Sequence, residues 1–308
     1  MRLHSFISIF ITAVLVASCG KLNYKKSPSG FPYVIFSDGK GERVKINKVV
    51  KFNIENKVND SVYRTTFGLA PAYVQTSNIS EGYDISEIWT QLRVGDSVIV
   101  IQSLDTFIKR NTSLPKEIKK GDRLVITMKI LGVFESDSLA DLDKKKDNDL
   151  QVANEKEEIR QYLKENKIEG YQETKLGVFV KIHNPGTGNP IDSGNYVSVK
   201  YNGINWSGKV FDSNIDSSFG RSALLDFTVD VSPMIKGFAD GIKQMRKGTE
   251  ATIYIPSILA YGADGNPPSI KPDEKVIFEI KVVDVKEQAP VAAPVVQPAV
   301  DSLRKRKQ

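Results

Sequence analysis

The sequence is poor in the residues that most catalytic centres use. Cys19 is the only cysteine among 308 residues, which excludes an intramolecular disulfide. Only two histidines occur, and His183 is the only one beyond the N-terminal segment, so a multi-histidine metal site or a histidine-dependent triad is not expected. No glycine-rich loop leads from a predicted strand into a helix, so nucleotide phosphates have no cradle. The sequence therefore predicts no metal and no cofactor.

The chain also lacks an apolar run long enough to cross a bilayer. A basic N-terminus precedes the run from Phe6 to Ala17, whereas a membrane span needs about 20 apolar residues. We expect residues 1–18 to be a signal peptide. The segment Val16-Ala17-Ser18-Cys19-Gly20 resembles the bacterial lipobox, which implies lipidation of Cys19 and a membrane anchor.

The residues after Cys19 indicate which membrane would hold the anchored protein. No aspartate follows the cysteine, and by resemblance to bacterial lipoproteins this favours the outer membrane, with the protein facing the periplasm. Residues 19–30 are predicted to be a polar tether. The net charge of +6 is scattered, without an interleaved basic and aromatic stripe, so nucleic-acid binding is not expected.

The second half of the chain alternates apolar and polar residues with the period of antiparallel strands. One segment, Ile235 to Met245, has helical spacing instead. A single amphipathic helix packed on a twisted sheet predicts an α+β fold. The predicted inward-facing strand residues are Val197, Val199, Tyr201, Ala251, Ile253, Ile255, Val276, Phe278, Ile280 and Val282.

The first half repeats this plan at an offset of about 150 residues. Val50, Phe52 and Ile54 parallel Val197, Val199 and Tyr201, and two further segments match at a similar distance. We interpret this as two copies of one fold. The alternative is that any antiparallel sheet with Gly-Asp turns would show the same pattern.

The connection between the halves is strongly charged from about residue 136 to 154, which is typical of a linker. A short helix is then predicted from Asn154 to about Asn166, with Ile159 and Leu163 on its apolar face. That face would pack on its own domain or on a second copy of the chain. The predicted domains are 1–18 signal peptide, 19–30 tether, 31–135 first domain, 136–176 linker and helix, 177–287 second domain and 288–308 flexible basic tail.

Three motifs follow one another where predicted strands meet loops: Val210 to Ser213, Met234 to Phe238 and Ala260 to Gly262. In this order they resemble the FK506-binding protein family of peptidyl-prolyl isomerases, over about residues 177–285. The resemblance implies two FKBP-like domains, each a twisted antiparallel sheet wrapped on a short α-helix. It also implies isomerisation of X-Pro bonds in exported or envelope polypeptides, without metal, nucleophile or cofactor.

The resemblance assigns roles to individual residues. The catalytic positions of the family correspond here to Tyr201, Phe211, Asp212, Ile235 and Tyr261, and the substrate-binding positions to Phe227, Met234, Phe238, Ile270 and Phe278. The chain departs from the family pattern at several points. Phe238 stands where many members have tryptophan, Leu225 replaces an aromatic residue, and the rim from Ser213 to Leu225 is about four residues longer than in minimal members.

The first half lacks this equipment, because Ile54, Tyr63 and Arg64 fall opposite Tyr201, Phe211 and Asp212. We therefore expect its site to be inactive. Two other functions stay open: a chaperone or binding lipoprotein that holds envelope proteins without catalysis, and a structural component of an envelope machine for gliding or secretion. A homodimer or an envelope complex stays open as the partner. Each aromatic residue could also serve the core alone.

Overall fold

The computed structural model describes residues 22–77, 82–110 and 118–289. Cys19, the predicted signal peptide and residues 290–308 of the predicted tail lie outside these ranges. The chain divides into two compact units, with the boundary between Asn148 and Asp149. The boundary lies inside residues 136–176, the segment predicted to be linker and helix between the two domains.

The first unit contains a seven-stranded antiparallel sheet among its described residues. The strand order is β1-β2-β6-β7-β3-β4, with β5 also paired to β3. The strands are β1 Lys25–Lys26, β2 Pro32–Phe36, β3 Val49–Val58, β4 Ser61–Thr65, β5 Ala72–Gln75, β6 Ser97–Ser103 and β7 Arg123–Phe134. Because Lys25–Lys26 pairs with Pro32 and Tyr33, the predicted tether of residues 19–30 is in part a strand of this sheet.

The second unit, as far as residue 289, has a seven-stranded sheet of its own, in the order β8-β9-β13-β14-β10-β11, with β12 paired to β10. Its strands are β8 Tyr171–Glu173, β9 Phe179–Asn184, β10 Tyr196–Asn205, β11 Val210–Ser213, β12 Leu225–Thr228, β13 Glu250–Ile255 and β14 Val276–Lys286. The alternating apolar residues of β10, β13 and β14 form one buried face, as the sequence predicted. Strand β8 lies in the stretch that was predicted to be linker.

The two sheets share one topology, because β1 to β7 pair among themselves as β8 to β14 do. Adding 147 to the numbers of Val49–Val58 gives Tyr196–Asn205. A β-bulge interrupts the pairing of β3 with β7 between Lys51 and Phe52, and that of β10 with β14 between Ser198 and Val199, again 147 residues apart. Bulges are specific backbone features rather than random defects. The shared bulge therefore supports a repeated fold over an accidental likeness of two sheets.

The described residues also form the α-helices α1 Leu104–Lys109, α2 Asp137–Glu165 and α3 Lys236–Ile242. Short 3-10 helices cover Ile85–Gln91, Ser217–Phe219, Ser257–Leu259 and Gly262–Asp264. Helix α3 packs on the second sheet through Phe238 and Ile242. The element at the corresponding place in the first unit is the 3-10 helix Ile85–Gln91, whose Ile88 and Trp89 enter the core.

Helix α2 corrects the prediction of a charged linker, since it begins at Asp137 and not near Asn154. Its sequence contains no glycine or proline, and alanine, leucine, lysine and glutamate are good helix formers. Before residue 149, Asp143 and Asp147 each lie 2.7 Å from the ammonium group of Lys51 on β3. In this part of the helix, ion pairs with the sheet take the place of a buried apolar face.

The later part of α2 packs on the second sheet. Ile159 and Leu163 are fully buried with Phe179, Tyr254 and Ile277. The predicted apolar face is therefore confirmed, and it packs within its own unit. Among the described residues, no helix is both long enough and apolar enough to cross a membrane.

Candidate functional site

An aromatic cluster forms where β10, β11, β14 and α3 meet in the second unit. The ring of Phe278 packs edge to face against Phe238 at 5.1 Å and against Phe211 at 5.7 Å between centroids. Tyr201 and Phe227 each contact Phe238. Such edge-to-face pairs are the arrangement that aromatic quadrupoles prefer. The five predicted aromatic residues of β10, β11, β12, α3 and β14 thus meet in one place.

Gly203, which the sequence analysis missed, makes the cluster possible. It lies on β10 two residues after Tyr201 and faces the same side of the sheet. A Cβ atom at this position would lie 2.8 Å from the ring of Phe211 and 2.9 Å from that of Phe278. Any side chain there would push the two rings away. Glycine in the interior of a predicted strand is the signal that could have found it, because it often marks such a close approach.

Asp212 lies at the edge of the cluster and accepts a hydrogen bond from the hydroxyl of Tyr201 at 2.7 Å. Burial and this carboxylate raise the pKa of Tyr201, so the hydroxyl stays protonated and donates. Arg221, on the lengthened rim, lies 3.3 Å from the same carboxylate. The sequence did not reveal Arg221, because nothing in its spacing links it to Asp212.

The loop between β13 and β14 carries Tyr261 and Ile270 over the cluster. The ring of Tyr261 meets Phe211 edge to face at 5.9 Å. Burial, and then the nearby charge of Asp212, raise the pKa of Tyr261. Ile270 is fully buried in the core. Asn205 on β10 donates to the carbonyl of Ser269 at 3.0 Å and so ties this loop to the sheet.

Met234 and Ile235 precede α3 and pack against the core with partly exposed side chains. Ile235 is the N-cap residue of α3 and has extended backbone angles. Within the described residues, its backbone N–H donates to no acceptor of the protein. This N–H can therefore donate to a bound carbonyl group, which is the role that the resemblance implies.

The loop after Asp212 is held by two polar residues that the sequence analysis also missed. Asn214 is buried, accepts from the Tyr201 N–H at 2.7 Å and donates to the Val199 carbonyl at 2.9 Å. Ser213 donates to Asn202 and accepts from the N–H groups of residues 215 and 216. Together they fix where β11 ends and therefore where Asp212 sits.

The corresponding place in the first unit is built differently. Strand pairing sets Asn56 against Arg64 as it sets Gly203 against Asp212, so Asn56 occupies the glycine position and Arg64 the carboxylate position. Tyr63, at the Phe211 position, is exposed. The predicted correspondences of Ile54, Tyr63 and Arg64 are thus those of the structure, and Asn56 adds a side chain where the second unit has none.

No group of three or more potential metal-ligating side chains occurs in the part of the chain that the structure describes. The cluster offers aromatic surface, two hydroxyls, one carboxylate and one backbone donor. These groups can bind and polarise an amide.

Comparison with known proteins bears on the second unit. Residues 188–283 match the family model described as FKBP-type peptidyl-prolyl cis-trans isomerase. The peptidyl-prolyl cis-trans isomerase FPR2 of Saccharomyces cerevisiae is 39% identical over 97 residues, which cover 31% of this chain and 69% of the yeast protein. The chain belongs to the FKBP-type peptidyl-prolyl cis-trans isomerase family.

Two further similar proteins are bacterial. A probable FKBP-type peptidyl-prolyl cis-trans isomerase FkpA of Neisseria meningitidis is 34% identical over 151 residues, covering 49% of this chain and 53% of that protein. The chain thus spans about half the length of this curated relative. A solved peptidyl-prolyl cis-trans isomerase of Pseudomonas syringae is 28% identical, with a TM-score of 0.36, and the match covers 45% of this chain and 95% of that one.

Proposed function

We propose that the second unit isomerises X-Pro peptide bonds in proline-containing polypeptides of the cell envelope. The observation that carries this proposal is the meeting of the aromatic cluster with Asp212, Tyr261 and the unpaired N–H of Ile235. Family membership supports the same reaction class. The substrate would lie against the rings, with its carbonyl groups turned toward the donors at the edge.

The chemistry requires little beyond such a surface. The barrier to rotation about a peptide bond is about 18–20 kcal/mol and comes from amide resonance, which is lost as the bond twists. The twisted amide has less charge separation than the planar one, so a site that excludes water favours the transition state over the ground state. Donors placed for the rotated carbonyl add to this preference. Lowering the barrier by about 5 kcal/mol accelerates the reaction by roughly a thousandfold to ten-thousandfold.

The test is a prolyl isomerisation assay on the full chain, with Asp212→Asn and Tyr261→Phe beside the wild type. We expect each variant to lose about tenfold in kcat/KM, the loss that corresponds to about 1.4 kcal/mol of transition-state stabilisation. Matched controls are Asp216→Asn, in the same loop, and Tyr196→Phe, on the same strand as Tyr201; both should match the wild type. A wild-type rate equal to the uncatalysed rate would refute the proposal.

A competing proposal is a holder of unfolded envelope proteins without catalysis. Two observations favour it: Leu225 replaces an aromatic residue of the family, and Arg221 pairs with Asp212, which leaves this carboxylate less open to a substrate. The same assay separates the two. A chain that binds a proline-containing peptide but does not accelerate its isomerisation would support the holder.

We also propose that the protein is anchored through a lipid on Cys19, at the outer membrane and facing the periplasm. The lipobox-like segment and the preceding apolar run support this location. Cys19→Ala should move the protein from the membrane fraction to the soluble fraction, or leave its N-terminal segment uncleaved. Membrane association that survives this substitution would exclude the lipid anchor.

A further inference from the structure

Helix α2 and the loop that carries Tyr261 share a buried polar cluster in the second unit. Glu155 on α2 is buried, with only 3% of the residue exposed. Its side chain ends in the cluster. It accepts hydrogen bonds from the N–H of Ser257 at 2.5 Å and from the hydroxyl of Ser257 at 2.6 Å. Ser257 is itself fully buried and opens the 3-10 helix just after β13.

Gln151, one turn earlier on α2 and also buried, completes the cluster. Its side-chain amide nitrogen lies 2.8 Å from the Glu155 carboxylate, 3.0 Å from the Ser257 hydroxyl and 3.2 Å from the Asp273 carboxylate, and its two N–H groups are shared among these three acceptors. Asp273 lies near the other end of the loop, and its backbone N–H donates to the Gly262 carbonyl at 2.8 Å. The two side chains of α2 thus hold both ends of the loop from residue 257 to residue 273.

This arrangement bears on the position of Tyr261. Tyr261 follows Ser257 by four positions, and its ring meets Phe211 at the edge of the aromatic cluster. A buried carboxylate is costly unless hydrogen bonds compensate its lost hydration, so a core that needed only packing would be served better by an apolar residue. Displacement of a catalytic group by about 1 Å can lower a rate by about a hundredfold.

We propose that Glu155 and Gln151 are positioning residues, which set the loop bearing Tyr261 over the aromatic cluster and so couple helix α2 to the site. This inference rests on the proposed isomerase function for the part that concerns rate. The ordering of the loop itself can be measured without activity.

The experiment compares full-length Glu155→Ala, Glu155→Gln and Gln151→Leu with the wild type in two measurements. The first is kcat/KM for prolyl isomerisation at a temperature where each variant remains folded. The second is amide hydrogen exchange, followed peptide by peptide. Glu157→Ala is the matched control, because Glu157 lies two residues further along α2 and its side chain is 73% exposed.

We expect Glu155→Ala to lower kcat/KM about tenfold and to accelerate exchange in residues 257–273 while β10 and β14 keep wild-type protection. Gln151→Leu should show the same pattern more weakly. Glu155→Gln can still bond both the N–H and the hydroxyl of Ser257 and should retain activity within about threefold of the wild type. Glu157→Ala should change neither measurement.

The proposal would be overturned if Glu155→Ala left kcat/KM unchanged, or if hydrogen exchange increased evenly over the second unit. Either result would mean that the cluster contributes only to the overall stability of the unit. A Glu155→Ala chain that fails to fold leaves the decision to Glu155→Gln and Gln151→Leu. A wild-type chain without activity would refute the isomerase function instead, and loop exchange in the variants would then decide whether α2 orders the loop.

Discussion

At the scale of single residues, the absence of a side chain at Gly203 allows a specific prediction. We expect Gly203→Ala to lower the free energy of unfolding by about 1–3 kcal/mol, since the added methyl group would force the rings of Phe211 and Phe278 apart. Activity should fall with it, because the aromatic surface is displaced. Chemical denaturation and the isomerisation assay measure the two effects.

Gly132 on β7 provides the matched control for this substitution. A Cβ atom there would lie 3.6 Å from its nearest neighbour, the ring of Phe134, which is ordinary contact. Gly132→Ala should therefore cost little stability. If the two substitutions lowered the free energy of unfolding equally, the close approach of the rings at Gly203 would not account for the loss.

The individual site residues also show how much of the site the sequence could predict. Tyr201, Phe211, Asp212, Phe238 and Phe278 lie on motifs with a fixed order, and the structure brings them together. Arg221, Asn214 and Glu155 reach the site through loop geometry or from another element. Arg221 and Asn214 contact residues 9 to 15 positions away through the shape of one loop, and Glu155 contacts Ser257 across 102 positions. Neither kind of contact follows a fixed periodicity along the chain, so these side chains could not be assigned in advance.

At the scale of elements, Glu155 predicts a pH dependence. Burial raises the pKa of Glu155, although hydrogen bonds from Ser257 and Gln151 offset part of the effect. A group with a raised pKa in the folded state stabilises the protein below its unfolded pKa, and this contribution is lost as the pH rises through the folded pKa. The stability of the wild type relative to Glu155→Gln should therefore fall as the pH rises from about 4.5 toward neutrality.

Glu173 on β8 should behave in the opposite way and is the control for the sign. Burial alone would raise the pKa of Glu173, but hydrogen bonds from Lys156 and Arg160 on α2 outweigh it and lower the pKa. Stability of the wild type relative to Glu173→Gln should thus be lost as the pH falls. Urea unfolding across the pH range measures the stability difference between the wild type and each variant. If the two differences changed with pH in the same direction, the prediction would be contradicted.

The elements themselves were predicted unevenly. The alternation in β3, β10, β13 and β14 indicated strands, because one face of each is buried. The first part of α2 was interpreted as a linker, since its charged residues show no apolar stripe. It is helical because its charges meet charged partners, as Asp143 and Asp147 meet Lys51, and an apolar periodicity cannot report such contacts.

At the scale of the whole molecule, the two units should divide the work. Asn56 and Arg64 replace the glycine and the carboxylate of the second unit, so the first unit should not catalyse. In the full chain we expect Arg64→Ala to leave kcat/KM within about twofold of the wild type, while Asp212→Asn combined with Tyr261→Phe lowers it about a hundredfold, the product of the two single losses. Residual activity in the double variant that disappears on adding Arg64→Ala would assign catalysis to the first unit as well.

The shared bulge has a further consequence for how the chain folds. Strands β3 and β10 present the same backbone register, so each has two potential partners, β7 and β14, during folding, and exchange between like domains is a common failure of repeat proteins. The side chains discriminate between them. Phe278 on β14 packs over Gly203, and if β3 took the place of β10, Asn56 would fill the space that this ring needs. We therefore expect the divergence between Asn56 and Gly203 to help each central strand to select its own partner.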